Sequence, residues 1–366
     1  MIKSSAAPSF LGTFALVFVA MGLLYAVDTV LAGMERAEGA AAAARLYREG
    51  LDLMHSGKNS DAMERFGDAI ALERGNRDYQ RALAQAQLAA GKTSDAEATL
   101  AALLESDSTD GFASLLMARV LEKEGKVPQA ISYLHRAIYG DWNQDQAANQ
   151  LRARFELIDL LARRNSKDEL LAELMAVQDH IPLDLEMKKG RLYLQAGSAA
   201  HAAEVFQRVL QEDPGNLEAQ IGVGEAEFAK GNYREANRDF ETALRLAPDN
   251  ADARQQLELS NQVLELDPTI RGLGMTERFR RSLKLVRMAA DDATECTGHN
   301  PPADLAELLD KAATALKGNY NASRQNEASE SNLDLAAQIW QARKRECKSA
   351  PPPDLPLALV LAKLAQ

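Results

Sequence analysis

Aromatic side chains make up only 5% of the 366 residues. Together with a shortage of β-branched types, this argues against strands. Ala, Leu, Glu and Gln fill the gap and favour helix, so an all-α protein is expected. Positive charge is also short: 42 Lys and Arg face 53 Asp and Glu, a net charge of −11. That balance excludes the basic footprint of a general nucleic-acid binder, and no nucleic-acid partner is expected. The two cysteines are too few for a zinc ribbon but enough for one disulfide. The 22 glycines and 12 prolines are too few for a collagen-like or disordered chain, and 46% apolar residues provide for a sizeable core. At roughly 100–200 residues per domain, two or three folding units fit the length.

Catalytic equipment is missing as well. His55, His135, His180, His201 and His299 are scattered, and none lies in an HExxH helix. There is no GxxxxGK[ST] loop, and Gly272-Leu-Gly274 lacks the third glycine and the strand context of a dinucleotide fingerprint. No enzyme activity, cofactor, metal or small-molecule substrate is expected. Asn321-Ala-Ser323 fits a glycosylation triplet, to which no function is attached.

One long apolar run is present. No charge interrupts Phe10 to Val27, and Asp28 and the apolar TVLAGM follow before Glu35. Crossing about 30 Å of hydrocarbon takes about 20 residues, which this run supplies. Three readings compete: a membrane anchor, a cleaved signal peptide with its site in the Ala-rich stretch after Gly39, and a buried soluble helix, which the lack of a polar face disfavours. We expect a tail at 1–9, a transmembrane anchor or uncleaved signal at 10–34, and a linker at 35–42 that becomes helical. Arg36, Arg45 and Arg48 follow the run and only Lys3 precedes it, so a strict count places the large domain inside. Long domains translocate largely regardless of charge, and a short basic amino terminus stays in the cytoplasm. The expectation is a single-pass inner-membrane protein with a periplasmic large domain.

A fixed period governs the next stretch. Gly50, Ala84 and Ala118 recur every 34 positions, as do Gly190 and Gly224, with one longer step between Ala118 and Gly190. Twelve positions after each stands Ala62, Ala96, Ala130, Ala202 or Ala236, and sixteen after each stands Phe66, Leu100, Leu134, Phe206 or Phe240. Seven after each comes Gly57, Gly91, Gly125, Gly197 or Gly231, and Pro214 and Pro248 close the last two units. Small residues let paired helices approach, glycine suits a left-handed helix end, and proline stops the second helix. The clear units are 43–76, 77–110, 111–144, 183–216 and 217–250. A degenerate unit fills 145–182, where FELIDLLARR and DELLAELMAVQ read as two helices. Residues 251–266 read as a closing helix with a polar outer face, because Glu258 takes the small-residue position.

This pattern resembles the tetratricopeptide repeat, a helix–turn–helix unit of about 34 residues. The resemblance implies a solenoid over 43–272 whose first helices line a concave groove for a protein or peptide partner. Its groove positions would be Tyr47, Arg48, Leu51 and His55; Arg81, Gln85 and Leu88; Leu115, Leu116, Arg119 and Glu122; and Met187, Lys188, Arg191, Leu194, Ile221, Glu225 and Phe228. Arg48, Arg81, Arg119, Lys188 and Arg191 suit a carboxylate-bearing segment. The lysine–asparagine clamp of some chaperone-binding relatives is not matched, since no asparagine holds those positions.

Residues 273–366 leave the period and read as a four-helix unit. Helices are expected at 276–296, 303–316, 332–347 and 355–365, with a polar loop at 319–331. Each half has a helix ending in cysteine, then prolines, then Asp304 or Asp354 opening an apolar helix, where the carboxylate suits exposed amides. Cys296 and Cys347 admit a disulfide, two buried thiols or, with His299, a metal site whose spacing fits no zinc pattern. In an oxidising compartment the disulfide is expected, worth about 4 kcal/mol in the chain-entropy model. Arg278, Arg280, Arg281, Lys284 and Arg287 read as a solvated helix face, with contact to anionic lipid or an acidic partner as the alternative. The last helix is too short to span a bilayer and should pack on its neighbours.

The chain therefore resembles membrane-anchored tetratricopeptide proteins of bacterial envelopes, through its repeats alone. It reads as a non-catalytic tethered scaffold in envelope complex assembly. The alternatives are a cytoplasm-facing adaptor and an envelope-glycan binder, the latter needing an aromatic-lined groove.

Overall fold

The computed structural model describes residues 10–178, 180–298, 300–347 and 354–364. The tail at 1–9, His299 and Pro351–Pro353 lie outside the described residues. The described residues form helices throughout, with no strand, in two compact units, Met1–Arg163 and Arg164–Gln366.

The first unit holds α1 (Phe10–His55), α2 (Asn59–Leu72), α3 (Arg77–Ala89), α4 (Thr93–Ser106), α5 (Gly111–Lys123), α6 (Val127–Tyr139) and α7 (Gln146–Arg163). The second holds α8 (Lys167–Met175), α9 (Leu183–Ala196), α10 (Ala199–Glu212), α11 (Leu217–Ala229), α12 (Tyr233–Leu246), α13 (Ala251–Leu266), α14 (Met275–Cys296), α15 (Ala303–Lys317), α16 (Gln325–Glu346) and α17 (Leu355–Leu364). The division falls inside the reach read as repeats, ahead of the short α8.

Within each unit consecutive helices pair, and each pair packs on the next. The period explains why. Ala62, Ala96, Ala130, Ala202 and Ala236 are all fully buried at helix–helix contacts, as are Phe66, Leu100, Phe206 and Phe240. Gly57, Gly91, Gly125, Gly197 and Gly231 all turn the chain between paired helices with φ between +74° and +84°. A side chain there meets Cβ–carbonyl repulsion, which glycine avoids. Asp110, Asn216 and Asn250 cap the helices that follow them, accepting from the amides of Ala113, Ala219 and Ala253 at 2.8–3.0 Å.

The apolar run is the exposed amino-terminal half of α1. Phe18, Leu23, Leu24 and Tyr25 all lie open, which removes the reading of a buried soluble helix. This stretch is long and apolar enough to cross a membrane, and is compatible with a single-pass anchor or a signal sequence. Residues 35–42 are helical within α1, so no break separates the apolar run from the first repeat helix.

At the other end, α13 has the expected polar outer face, with Arg254, Gln255 and Glu258 exposed, but it does not close the array. Its Val263 and Leu266 share one core with Tyr233, Leu285, Ile339, Leu357 and Leu361, so α17 covers the array. Lys363 seals this contact by donating to Asp267 at 2.7 Å, a carboxylate almost wholly buried. α16 begins at Gln325, ahead of the expected start and inside the stretch expected to be a loop. Buried Ser329 lies in this extension, and at the expected start the buried Asn332 amide donates to Ser282 Oγ of α14 at 3.0 Å. Asp304 sits inside the first turn of α15 rather than capping it; Pro302 holds the cap position.

Cys296 and Cys347 are bonded, with Cα atoms 6.1 Å apart, which ties the ends of α14 and α16. Of the α14 cations, Arg280, Lys284 and Arg287 lie exposed on the expected solvated face, while Arg281 is turned into the fold. Arg281 donates to the carbonyls of Leu264 and Asp267, and Arg280 and Arg281 grip Glu277. Their hydrogen bonds hold the Glu277 carboxyl at about 2, well below the usual range.

Candidate functional site

In the first unit, side chains of α1, α3 and α5 converge on a cavity of about 320 Å³. Tyr47 and Leu51 come from α1, Asp78, Arg81, Ala82 and Gln85 from α3, and Asp110 and Phe112 from the start of α5. Tyr47 is half-buried and packs against Tyr79 at a tilt of 33°, with centroids 4.9 Å apart. Burial raises its pKa, helped by Asp78 and opposed by Arg81.

The far wall comes from a segment outside the period. The link from α6 to α7 runs from Gly140 to Asp145, longer than the corresponding links Asp107–Asp110, Asp213–Asn216 and Ala247–Asn250. It pairs with the loop before α5: the Asp141 amide donates to Thr109 O at 2.8 Å, and the Gly111 amide to Asp141 O at 2.9 Å. Trp142 folds down onto Gly111, where any β-carbon would collide with the indole. Its Nε1 donates to Ala137 O at 3.0 Å, and Phe112 meets its ring edge-on. Asp141, Trp142, Asn143 and Gln144, with Asn149 of α7, complete the lining.

Arginines bridge the first helices of neighbouring repeats, from α3 to the start of α5, α5 to α7 and α9 to α11. Arg81 Nε and Nη2 both donate to Asp110 Oδ2, at 2.9 and 2.7 Å, and Nη1 donates to Asp78 at 2.7 Å. Burial works against the Arg81 charge, yet these carboxylates hold its pKa above the ordinary value. Arg119 donates through Nε and Nη2 to the two carboxylate oxygens of Glu156, and Arg191 meets Glu218 at 2.6 Å in the second unit. Three of the cations expected to await a partner's carboxylate are therefore already paired. The physical reason is that an acidic side chain of a following helix lies within reach of each guanidinium.

The remaining expected residues divide. Leu115 is buried in the core, not offered to the groove. Arg48 is exposed and returns Nε to Ala44 O at 3.2 Å. In the second unit Lys188 and Ile221 are half-buried, and Phe228 packs on the core with its ring edge-on to Tyr233 at 5.0 Å. Glu225, on the same helix, has its pKa raised by burial, lowered by Arg191 and raised by Asp252.

Trp142, Asp141 and Asn149 were not among the expected groove residues. The signal was present: the step from Ala118 to Gly190 is longer than two whole periods. The pairings also predict unequal charge reversals. Arg119→Glu puts like charge against Glu156 at a half-buried site, with an expected cost of about 1 kcal/mol. Arg191→Glu faces Glu218 in open solvent and should cost a few tenths of that at most. Urea unfolding of the two variants checks the order.

Comparison with known proteins agrees with the period. A tetratricopeptide repeat family model matches residues 53–120 and 193–238, and a second matches 224–254. Superkiller complex protein 3 of Mus musculus is 26% identical over 174 residues, 43% of this chain and 11% of that protein; the matched stretch thus spans about a tenth of the curated relative. Among solved structures, the C-terminal part of a TPR repeat-containing protein from Cytophaga hutchinsonii aligns at 14% identity and a TM-score of 0.47, covering 64% of this chain and 92% of that one. The TPR2AB domain of yeast Sti1, solved in complex with pHSP90, aligns at 14% identity and a TM-score of 0.29, covering 82% and 98%.

Proposed function

We propose that this chain, a tetratricopeptide-repeat protein by its matches at residues 53–120 and 193–254, is a non-catalytic scaffold that holds a partner protein's segment in its groove while α1 tethers it to a membrane. The observation that carries this reading is the continuity of α1. One unbroken helix runs from the exposed apolar stretch to Tyr47 and Leu51 on the cavity wall. The helix from Met34 to Tyr47 rises about 20 Å, so the binding surface would sit close above the bilayer. The bonded Cys296 and Cys347 favour export of the large domain to the periplasm and a role in envelope complex assembly.

A cytoplasm-facing adaptor is the second reading, favoured by the cations that follow the apolar run. One measurement tests the tether that both readings share, and a second separates them. The full chain should pellet with membranes and resist alkaline carbonate, whereas a chain lacking 1–34 should not; a soluble full chain removes the tether. Thiol labelling of intact cells without reductant should find no free cysteine. Ready labelling of Cys296 or Cys347 by a membrane-permeant reagent would move the large domain inside.

A further inference from the structure

We propose that the Trp142-walled cavity of the first unit is a subsite for a cationic side chain, lysine or arginine, carried on an extended peptide. This rests on the groove-binding reading and gives the guest a charge opposite to the one the groove arginines suggest. The lining carries three carboxylates, Asp78, Asp110 and Asp141, against the single guanidinium of Arg81. Arg81 is used on Asp110 and Asp78. Asp141 is exposed, and among the described residues no ion pair forms on its carboxylate. Its backbone is fixed on both sides by Thr109 and Gly111, which places this short side chain at the rim.

The size and walls suit one long side chain. About 320 Å³ lies at the low end of ligand cavities, which run from roughly 300 to 1,000 Å³. Leu51, Ala82 and Phe112 give an aliphatic or guanidinium-bearing stem apolar surface, as such stems use elsewhere. Asn149 donates to Gln144 O at 2.9 Å, which leaves its own carbonyl oxygen as an acceptor for a peptide amide. A glycan fits less well despite the three aromatic residues. Tyr47 packs against Tyr79 at a tilt of 33°, while Trp142 lies on Gly111 with its N–H engaged, so these rings are committed within the protein. An acidic segment would enter a field of its own sign.

The full chain in detergent, with Trp340→Phe so that Trp142 is the sole tryptophan, is titrated with three blocked pentapeptides, Gly-Ala-X-Ala-Gly, where X is Arg, Glu or norleucine. The Arg peptide should give a saturable Trp142 fluorescence change that weakens with added salt. Asp141→Asn, an exposed change that should leave the circular dichroism intact, should reduce its affinity about three- to fivefold. Equal or tighter binding of the Glu or norleucine peptide would overturn the cationic subsite and leave groove binding standing. Saturable binding of chitotetraose with no peptide response would replace the peptide by a glycan. No response to any probe at millimolar concentration would remove both the subsite and the groove reading for this unit.

Discussion

Replacing Phe206 with alanine is expected to destabilise the second unit by about 3–5 kcal/mol, enough to unfold a marginally stable domain. The ring is 1% exposed and lies between two glycines, Gly190 of α9 and Gly222 of α11. A β-carbon on Gly190 would stand 2.6 Å from the ring, and one on Gly222 would stand 2.7 Å from it. With backbone as two of its walls, the vacated space has no neighbouring side chains there to collapse into it, so the cavity cost should fall near the upper end of the range. The converse follows from the same contact. Gly222→Ala should overpack the site and cost about 1–3 kcal/mol. Combining Gly222→Ala with Phe206→Leu should cost less than the sum of the two single changes, because each relieves the other. Urea unfolding followed through Trp340, which lies in the second unit's core, measures all four variants. Additive effects would mean that ring and glycines do not share one contact.

That contact also shows how far the sequence could be read. Small and large residues recurring at a fixed interval announce paired helices, because tight helix approach tolerates only Gly or Ala where a ring must fit. Every alanine and every turn glycine in that register lies where the period requires. The site was less legible for a related reason. Periodicity assigns a helix face, but the range of a long side chain is set by what stands opposite. Arg81, Arg119 and Arg191 occupy groove positions and still turn to carboxylates of following helices. Leu115 is drawn into the core by the neighbouring helices. The wall made by Trp142 belongs to a link that breaks the period, so a search for regularity passes over it. The early start of α16 was hidden similarly: Ser329 looks like a loop residue until the fold buries it and its hydroxyl donates to Gln325 O one turn back at 2.7 Å.

Asp110 is where fold and site depend on one atom group, and Asp110→Ala is expected to cost about 3–5 kcal/mol. The residue is 2% exposed and does two jobs. One oxygen caps α5 by accepting from the Ala113 amide at 2.9 Å, and the other takes both Arg81 donors. Loss of the cap alone is worth about 1 kcal/mol. The larger part comes from leaving the Arg81 guanidinium, whose side chain is 12% exposed, beside no buried counter-charge. The two contributions separate by substitution. Asp110→Asn keeps a cap acceptor but removes the charge, so most of the loss should remain. Adding Arg81→Met to Asp110→Ala should recover stability, since removing both charges avoids the unpaired one. Unfolding read through Trp142, which rests against the same turn, tests this order. If Asp110→Asn behaved like the parent, the charge would be contributing little, and the cap would carry the junction between α3 and α5. If the order holds, Asp110 is committed to Arg81 and cannot also serve a guest. The positive group entering the cavity must then find its partner at the rim, on Asp141.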